Sequence, residues 1–407
     1  MSAKRKSVVP VGVLYSLTGI YGVMGWEMLN GALVAIDQIN ADPSLDFELR
    51  PVILDPGGSI ARYHDLCEAL IHQYGVRHII GCYTSASRKQ VLPLVEGANA
   101  LLWHSARYEG FESSENVIYV GAAPNQHVVP LARYALANLD PRIYCVGSNY
   151  IWSWEINRVM REIIAVGGGQ IMAEKLAPLG EKDLDYLVDD ILKKQPGAVL
   201  NTLVGVSAYS FYRAWHAALR ARNIREPIPM LSLSLCEAEL QLIGADTATG
   251  HLVSSVYFQS IDRAENREFL AHYRERLGPY GSPSVDTEAA FLCAKLLGRA
   301  VARCGSAEVA AVREAVYLDS YEAPQGTVRV DADNNHCYLT PRLARSVPGA
   351  SFEVFWQAPS PVKPDPLSRL GRFLFLRRSC GDPPLRRDFA CGRVRGTDDA
   401  QARPVIP

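Results

Sequence analysis

The stretch HIIGCYTSASRKQVLPLVEGANALLWH, residues 78–104, determines the class of fold. It begins with a short apolar run at residues 78–83, passes through polar residues into a helix-like segment at 87–99, and ends with a second apolar run at 100–104. Short apolar runs are typical of buried strands, and two of them separated by a helix indicate parallel strands joined by a crossover. The stretch therefore predicts a β-α-β unit.

The same alternation continues on both sides of this unit. Before it, strands are predicted at residues 8–15 and 47–54, with helices at 26–39 and 60–74. A second series starts with a helix at residues 124–139 and continues to a strand at 229–233. Near-continuous apolar strands that alternate with helices predict an α/β protein with two doubly wound parallel sheets, each covered on both faces.

These two series define the predicted domain organisation. The first lobe is predicted to comprise residues 8–122 and 254–328, and the second lobe residues 123–253 and 329–370. Hinge segments between the lobes are predicted at residues 121–124, 251–255 and 327–331. Residues 371–407 are rich in Arg, Asp and Pro without sustained periodicity, which predicts a mostly disordered tail.

Composition excludes several classes of protein. The 407 residues are 48% hydrophobic and 21% charged, as in globular proteins, which excludes wholesale disorder. Lys and Arg number 42 against 43 Asp and Glu, so the chain has no bulk attraction for nucleic acid. No apolar run reaches the length that spans a membrane. The basic N-terminus superficially resembles a signal peptide, but the apolar run that follows contains Pro10 and forms the first predicted strand, so we expect a cytoplasmic protein.

Motifs of catalysis and of metal binding are absent from the sequence. There is no phosphate-binding P-loop, no G-x-S-x-G nucleophile motif and no H-E-x-x-H zinc motif. Gly19, Gly22 and Gly25 do not have the spacing of a dinucleotide-binding loop. The nine cysteines are scattered without a C-x-x-C pair, which favours buried, reduced thiols. We therefore expect a ligand-binding protein that is not an enzyme and uses no cofactor or metal.

Polar residues follow the predicted strands at the ends where such sheets bind ligands. Ser85 lies near the start of the third helix, where a hydroxyl and free backbone N–H groups suit a carbonyl oxygen. Tyr83 lies just before it, and Tyr150 follows the first strand of the second lobe. The alternatives are that Ser85 is simply a helix N-cap and that the two tyrosines belong to the rim or the core.

Six sequence motifs together resemble one family. They are DPGG at 55–58, GCYTSASRK at 81–89, WHSARYEGF at 103–111, IYVGAAPNQ at 118–126, APQG at 323–326 and NNH at 334–336. In this order, from about Val9 to about Pro366, the chain resembles the type I periplasmic-binding-protein family. Within it, the chain is similar to the cytoplasmic amide-sensing negative regulators of bacterial aliphatic amidase operons. The urea- and amide-binding receptors of ABC transporters belong to the same family.

The resemblance implies a two-lobed clamshell that binds a small uncharged amide in its cleft. It also implies a homodimer that holds an RNA-binding antiterminator inactive until the amide binds, and so regulates an amidase or nitrile hydratase operon. The alternative is the substrate-binding protein of a urea or amide ABC transporter. The ligand-binding residues that follow from the alignment and the strand ends are Tyr83, Thr84, Ser85, His104, Ser105, Ala106, Tyr150, Trp152, Gly205 and Ser234.

The chain departs from the amide sensors at three of these positions. Ala106 stands where they have threonine, and His104 and Trp152 stand where they have tyrosine. Loss of the threonine side chain and gain of an indole predict an uncharged amide larger than acetamide. The alternatives are that Trp152 fills the space that Ala106 vacates, and that His104 is a core residue. The run 121–124 has no Asp for an ammonium group, which disfavours an amino acid as ligand.

Overall fold

The computed structural model describes residues 6–244, 247, 249–278 and 281–367. The predicted tail, residues 371–407, lies outside this part. The first elements are β1 (Ser7–Leu14), α1 (Gly22–Ala41), β2 (Phe47–Leu54), α2 (Ile60–His72), β3 (His78–Gly81), α3 (Ser85–Gly97), β4 (Leu101–His104) and β5 (Val117–Tyr119). The strands form a parallel sheet in the order β2-β1-β3-β4-β5. The predicted β-α-β unit at residues 78–104 is confirmed.

A second α/β series follows. Its elements are α4 (Pro124–Asn138), β6 (Arg142–Ser148), α5 (Ile151–Val166), β7 (Gln170–Ala177), α6 (Asp185–Lys194), β8 (Ala198–Thr202), α7 (Val206–Ala221), β9 (Met230–Ser232), α8 (Glu237–Ile243) and β10 (Leu252–Ser255). The sequence did not predict α8, a short helix that begins directly after Cys236. All the strands of this series pair in parallel.

The chain then returns to the first lobe, where its next three strands form a separate three-stranded sheet. It adds α9 (Ala264–Leu277), α10 (Val285–Cys304), α11 (Val309–Tyr317), β11 (Tyr321–Ala323), β12 (Gly326–Val330) and β13 (Cys337–Tyr338). The hydroxyl of Ser284 caps α10 by accepting the N–H of Thr287. The helix packs closely on α1, because a Cβ atom at Gly31 would lie 2.1 Å from the carbonyl oxygen of Thr287. Only glycine permits that approach.

Two last strands extend the second sheet. They are β14 (Arg342–Val347) and β15 (Ser351–Gln357). The sheet order is β15-β14-β10-β9-β8-β6-β7, and the pairs β10–β14 and β14–β15 are antiparallel. The predicted fold class, α/β with two doubly wound lobes, is confirmed, while the antiparallel edge of the second sheet was not predicted. Apolar clusters cover both faces of each sheet, as the continuous apolar strands indicated.

The chain passes between the lobes at three places. The first passage joins β5 to α4 at the predicted segment 121–124, where a Cβ at Gly121 would lie 1.9 Å from the carbonyl oxygen of Ala106. The second follows β10, which occupies most of the predicted segment 251–255 and belongs to the second sheet. The third joins β13 to β14.

The structure places this third passage after the predicted hinge at residues 327–331. Val330 pairs with Cys337 in an antiparallel hairpin, and both side chains lie in the core of the first lobe. The polar run between them is the turn of this hairpin, closed by the N–H of Asn335, which donates to the carbonyl of Asp331. Residues 329–339, which the sequence assigned to the second lobe, therefore pack with the first.

Candidate ligand-binding site

A narrow cavity of about 40 Å³ lies between the two lobes. Its walls come from the loops that follow β3, β4, β6, β8 and β9, and these carboxyl ends are where doubly wound sheets bind ligands. The predicted residues that line it are Tyr83, Thr84, Ser85, Ala106, Tyr150, Trp152 and Ser234, and the lining residues not predicted are Tyr21, Arg107 and Val204. Both lobes contribute, so the cavity changes whenever the lobes move.

A wider groove of about 1180 Å³ lies on the second lobe alone. It surrounds Trp215 and Arg345 near the amino ends of β9 and β10. The groove contains no predicted site residue and no residue from the first lobe. The position at the carboxyl ends of the strands therefore favours the smaller cavity as the ligand site.

Ser85 and Tyr150 join the lobes directly across the cavity. The backbone N–H of Ser85 donates to the hydroxyl of Tyr150 at 2.6 Å. The Ser85 hydroxyl donates to Oε2 of Glu109 at 2.9 Å, so it is bound within the first lobe. The tyrosine hydroxyl thus accepts from the N–H group that the sequence assigned to a ligand carbonyl.

Thr84 is the N-cap of α3, a role that the sequence left open for Ser85. Its side chain accepts the N–H of Ser87, and the Ser87 hydroxyl accepts the N–H of Thr84, which forms a capping box. Cys82 precedes this turn with φ 59°, an uncommon value for a residue with a Cβ atom. This backbone turn directs Tyr83 to Ser85 from the end of β3 towards the second lobe.

The aromatic wall of the cavity keeps it small. Tyr21 and Tyr83 pack edge to face with ring centroids 5.6 Å apart, and Trp152 is buried at the start of α5. About 40 Å³ accommodates roughly three water-sized groups. Ala106 and Trp152 both line the cavity, so the preference for an amide larger than acetamide and the alternative that Trp152 fills the space beside Ala106 both stay predictions, which affinities for a series of amides of increasing size test.

His104, Ser105 and Gly205 do not line the cavity, contrary to the sequence prediction. His104 is fully buried, with Nε2 3.2 Å from the Arg88 guanidinium, and burial together with that cation lowers the pKa of its imidazole to about 3. The hydroxyls of Ser105 and Tyr15 form a hydrogen bond of 2.8 Å inside the first lobe. Gly205 begins α7 with φ 58° and ψ −137°, which suits glycine.

Arg107 is the main residue of the cavity that the sequence prediction missed. Its Nη2 donates to Oδ2 of Asp286 at 3.2 Å, and the two side chains are 9% and 1% exposed. Burial raises the pKa of Asp286, and Arg107 opposes that shift. Glu239 of α8 lies close to the pair, and burial raises the pKa of its carboxyl to about 7 while Arg107 again opposes. Buried charges thus meet between the lobes.

The model of the periplasmic binding protein domain matches residues 9–372, most of the chain. The chain belongs to the periplasmic binding protein family. This family assignment agrees with the two lobes and with a cavity at the carboxyl ends of their strands. Together with the solved structures that share the fold, it establishes a type I periplasmic-binding-protein fold.

Several solved structures share the fold of this chain. A solute-binding protein of an ABC transporter from R. palustris, in complex with benzoate, has a TM-score of 0.78 and 17% identity, covering 88% of this chain and 98% of that one. An ABC transporter substrate-binding protein from Sphaerobacter thermophilus has a TM-score of 0.75 and 21% identity, covering 87% and 98%. A leucine binding protein from Thermotoga maritima has a TM-score of 0.74 and 17% identity, and the match covers 86% of this chain and 98% of that one.

One curated relative of this binding protein is similar over a shorter stretch. It is described as a limonene hydroxylase from Geobacillus stearothermophilus and is 24% identical over 125 residues. The match covers 31% of this chain and 23% of that protein. The chain thus corresponds to less than a quarter of the length of this relative.

The described part of the chain has neither a metal-binding cluster nor a membrane-spanning helix, and its cysteines include buried thiols. Within the described residues, no cluster of three or more His, Cys, Asp and Glu side chains is placed to hold a metal ion. No helix of the described part is long and apolar enough to cross a membrane. The thiols of Cys67 and Cys145 are buried, and burial raises the pKa of each. Such thiols pack as small apolar side chains.

Proposed function

We propose that the chain is a cytoplasmic sensor of a small uncharged amide, and that it is not an enzyme. The observation that carries this proposal is the charge balance of the cavity. Arg107 is the one charged side chain among the described residues that line it, and Asp286 pairs with that guanidinium. The other lining groups are hydroxyls, aromatic rings and apolar side chains. A site without net charge favours an uncharged ligand that offers one acceptor and one donor, as a primary amide does.

The regulatory part of the proposal follows from the resemblance to the amide-sensing regulators. A ligand that binds the closed arrangement of the lobes better than the open one shifts the population towards closure. We propose that a homodimer holds an RNA-binding antiterminator in an inactive complex and that amide-driven closure releases it. The regulated genes would then encode an amidase or a nitrile hydratase.

Calorimetric titration with matched pairs of ligands tests the amide specificity. The pairs are acetamide and acetate, propionamide and propionate, and butyramide and butyrate, with urea added. We expect each amide to bind at least tenfold more tightly than its carboxylate, because the carboxylate carries a charge that Asp286 repels. Tighter binding of the carboxylates would contradict the proposal.

A second candidate function is the substrate-binding protein of a urea or amide ABC transporter. The observation that favours it is the fold match to ABC transporter receptors over 98% of their chains. Fractionation of the native cell separates the two functions, since recovery of the protein from the periplasm or from a lipid anchor supports the transporter role. Recovery from the cytoplasm, with an RNA-binding protein that dissociates on addition of amide, supports the sensor.

A further inference from the structure

Arg107 has hydrogen-bonding capacity that the protein itself does not use. A guanidinium carries five N–H donors. Among the described residues, that of Arg107 makes one hydrogen bond, to Oδ2 of Asp286, and it lines the cavity. The donors of Ser85, in contrast, are both used, one by Tyr150 and one by Glu109. A carbonyl oxygen that enters the cavity therefore finds at Arg107 the charged N–H donors that Ser85 does not offer, beside the hydroxyls of Tyr21, Tyr83, Tyr150 and Ser234.

Asp286 holds this guanidinium in place from a well-defined position. It lies in the first turn of α10, two residues after Ser284, the N-cap of this helix. A helix N-terminus stabilises a carboxylate, which favours the ionised form of Asp286 despite its burial. The side chain of Asp286 is 1% exposed, so its charge is directed at Arg107 rather than at solvent. The pair presents donors to the cavity with little net charge.

We infer that Arg107 donates hydrogen bonds to the carbonyl oxygen of the ligand and that Asp286 sets the preference for an amide over a carboxylate. This inference rests on the proposed function and names the residues that determine its specificity. With Asp286 in place, a carboxylate ligand would add a second negative charge beside one cation. Without Asp286, the guanidinium would be an unpaired cation, which binds carboxylates in a charge-assisted, bidentate geometry.

Four proteins test the inference: the wild type, Asp286→Asn, Arg107→Met and the double variant. Each is titrated by calorimetry with propionamide and with propionate at pH 6, where Glu239 on α8 is mainly protonated. We expect Asp286→Asn to shift the ratio of the two dissociation constants towards propionate by at least tenfold. Arg107→Met should raise the dissociation constant of propionamide at least tenfold. The double variant should not show the shift of the ratio towards propionate. Thermal unfolding confirms that each variant is folded.

Arg158→Met is the matched control. Arg158 also lies between the lobes, with its guanidinium 4.7 Å from the ring centre of Phe111, but it does not line the cavity. The Arg158→Met variant should leave the ratio of the dissociation constants of propionamide and propionate unchanged. An unchanged ratio in folded Asp286→Asn, or propionamide affinity within twofold of wild type in Arg107→Met, would overturn the inference.

The proposed function and the inference fail in different ways. If the wild type binds propionate and not propionamide, the amide proposal fails and so does the role of Asp286. If the wild type prefers propionamide but its affinity does not depend on Arg107, the inference alone fails. If Asp286→Asn does not fold, the comparison of Arg107→Met with the wild type decides between these outcomes.

Discussion

Tyr150 is the residue through which the second lobe contacts the ligand-binding loop of the first. Its hydroxyl accepts the N–H of Ser85 at the start of α3. A buried N–H without a partner costs about 1–3 kcal/mol, so this hydrogen bond stabilises the contact between the lobes. An entering ligand must either replace the tyrosine hydroxyl or bind beside it.

Tyr150→Phe should lower the free energy of unfolding by about 1–2 kcal/mol, because the Ser85 N–H loses its acceptor. Guanidinium denaturation measures the change, because urea is itself a candidate ligand of the cavity. Tyr186→Phe is the control, since Tyr186 is exposed and removal of its hydroxyl should change the free energy of unfolding little. Equal stability of the two variants would show that the hydrogen bond across the cavity does not stabilise the protein.

Glu288 makes stability depend on pH. Its carboxyl is fully buried in α10, and burial raises its pKa to about 8, although the amide of Gln325 donates to it. The native protein therefore keeps a proton that the unfolded chain releases above its ordinary pKa near 4.5. The free energy of unfolding should fall as pH rises from about 5 to 8, by at most about 1.4 kcal/mol per pH unit for this group.

Glu288→Gln should flatten this dependence, because the amide does not titrate. Guanidinium denaturation at pH 5.5 and pH 7.5 measures the slope. Some slope should persist, since burial also raises the pKa of Glu237 and Glu239 to about 7. The control is Glu275→Gln on the exposed face of α9. A slope as steep in Glu288→Gln as in the wild type would contradict the assignment.

At the scale of elements, α3 is joined to the loop after β4 by a buried arginine. The Arg88 side chain is fully buried and contacts Glu109 and Glu112, each at 2.6 Å. Burial tends to raise the pKa of Glu112, but Arg88 and Lys89 lower it to about 2. Since Glu109 also binds the Ser85 hydroxyl, this network fixes the loop on which the ligand site depends.

Arg88→Met should destabilise the protein by about 3–5 kcal/mol, because it leaves two carboxylates without their buried partner. The neighbouring Lys89→Met provides a matched control. Lys89 pairs with the same Glu112 at 2.8 Å, but its side chain is 42% exposed, so we expect a loss of less than about 1 kcal/mol. Guanidinium denaturation measures both variants. Similar losses of unfolding free energy in Arg88→Met and Lys89→Met would show that burial of the arginine does not determine the size of the effect.

Elements whose signal is local were predictable from the sequence, and contacts between distant segments were not. The β-α-β unit at residues 78–104 follows from apolar runs and helical spacing. The strand β14 was missed because it contains Arg342 and Arg345 and pairs antiparallel with β10, about 90 residues earlier. The Arg107–Asp286 pair joins residues 179 apart. The only local sign of this ion pair in the sequence was the arginine within the HSARY run at residues 104–108.

At the scale of the whole molecule, three passages connect the lobes and permit hinge bending. We expect saturating acetamide to raise the population of the closed arrangement, in which Tyr150 contacts Ser85, and so to reduce the mean radius of gyration in small-angle scattering, because a ligand held by both lobes favours closure over opening. Acetate at the same concentration is the control and should leave the radius unchanged. An identical radius with and without acetamide would mean that the lobes do not move on binding.

We also expect the contact between Tyr150 and Ser85 to set the time course of ligand exchange. Because the lobes touch across a narrow cavity, the proposed amide ligand should enter or leave only after that hydrogen bond breaks. In stopped-flow experiments that follow the total tryptophan fluorescence, of which Trp152 lines the cavity, the observed rate should level off at high amide concentration, at the rate of opening. Tyr150→Phe should raise that plateau. A rate that rises linearly to the highest concentration would show that entry does not wait for the lobes.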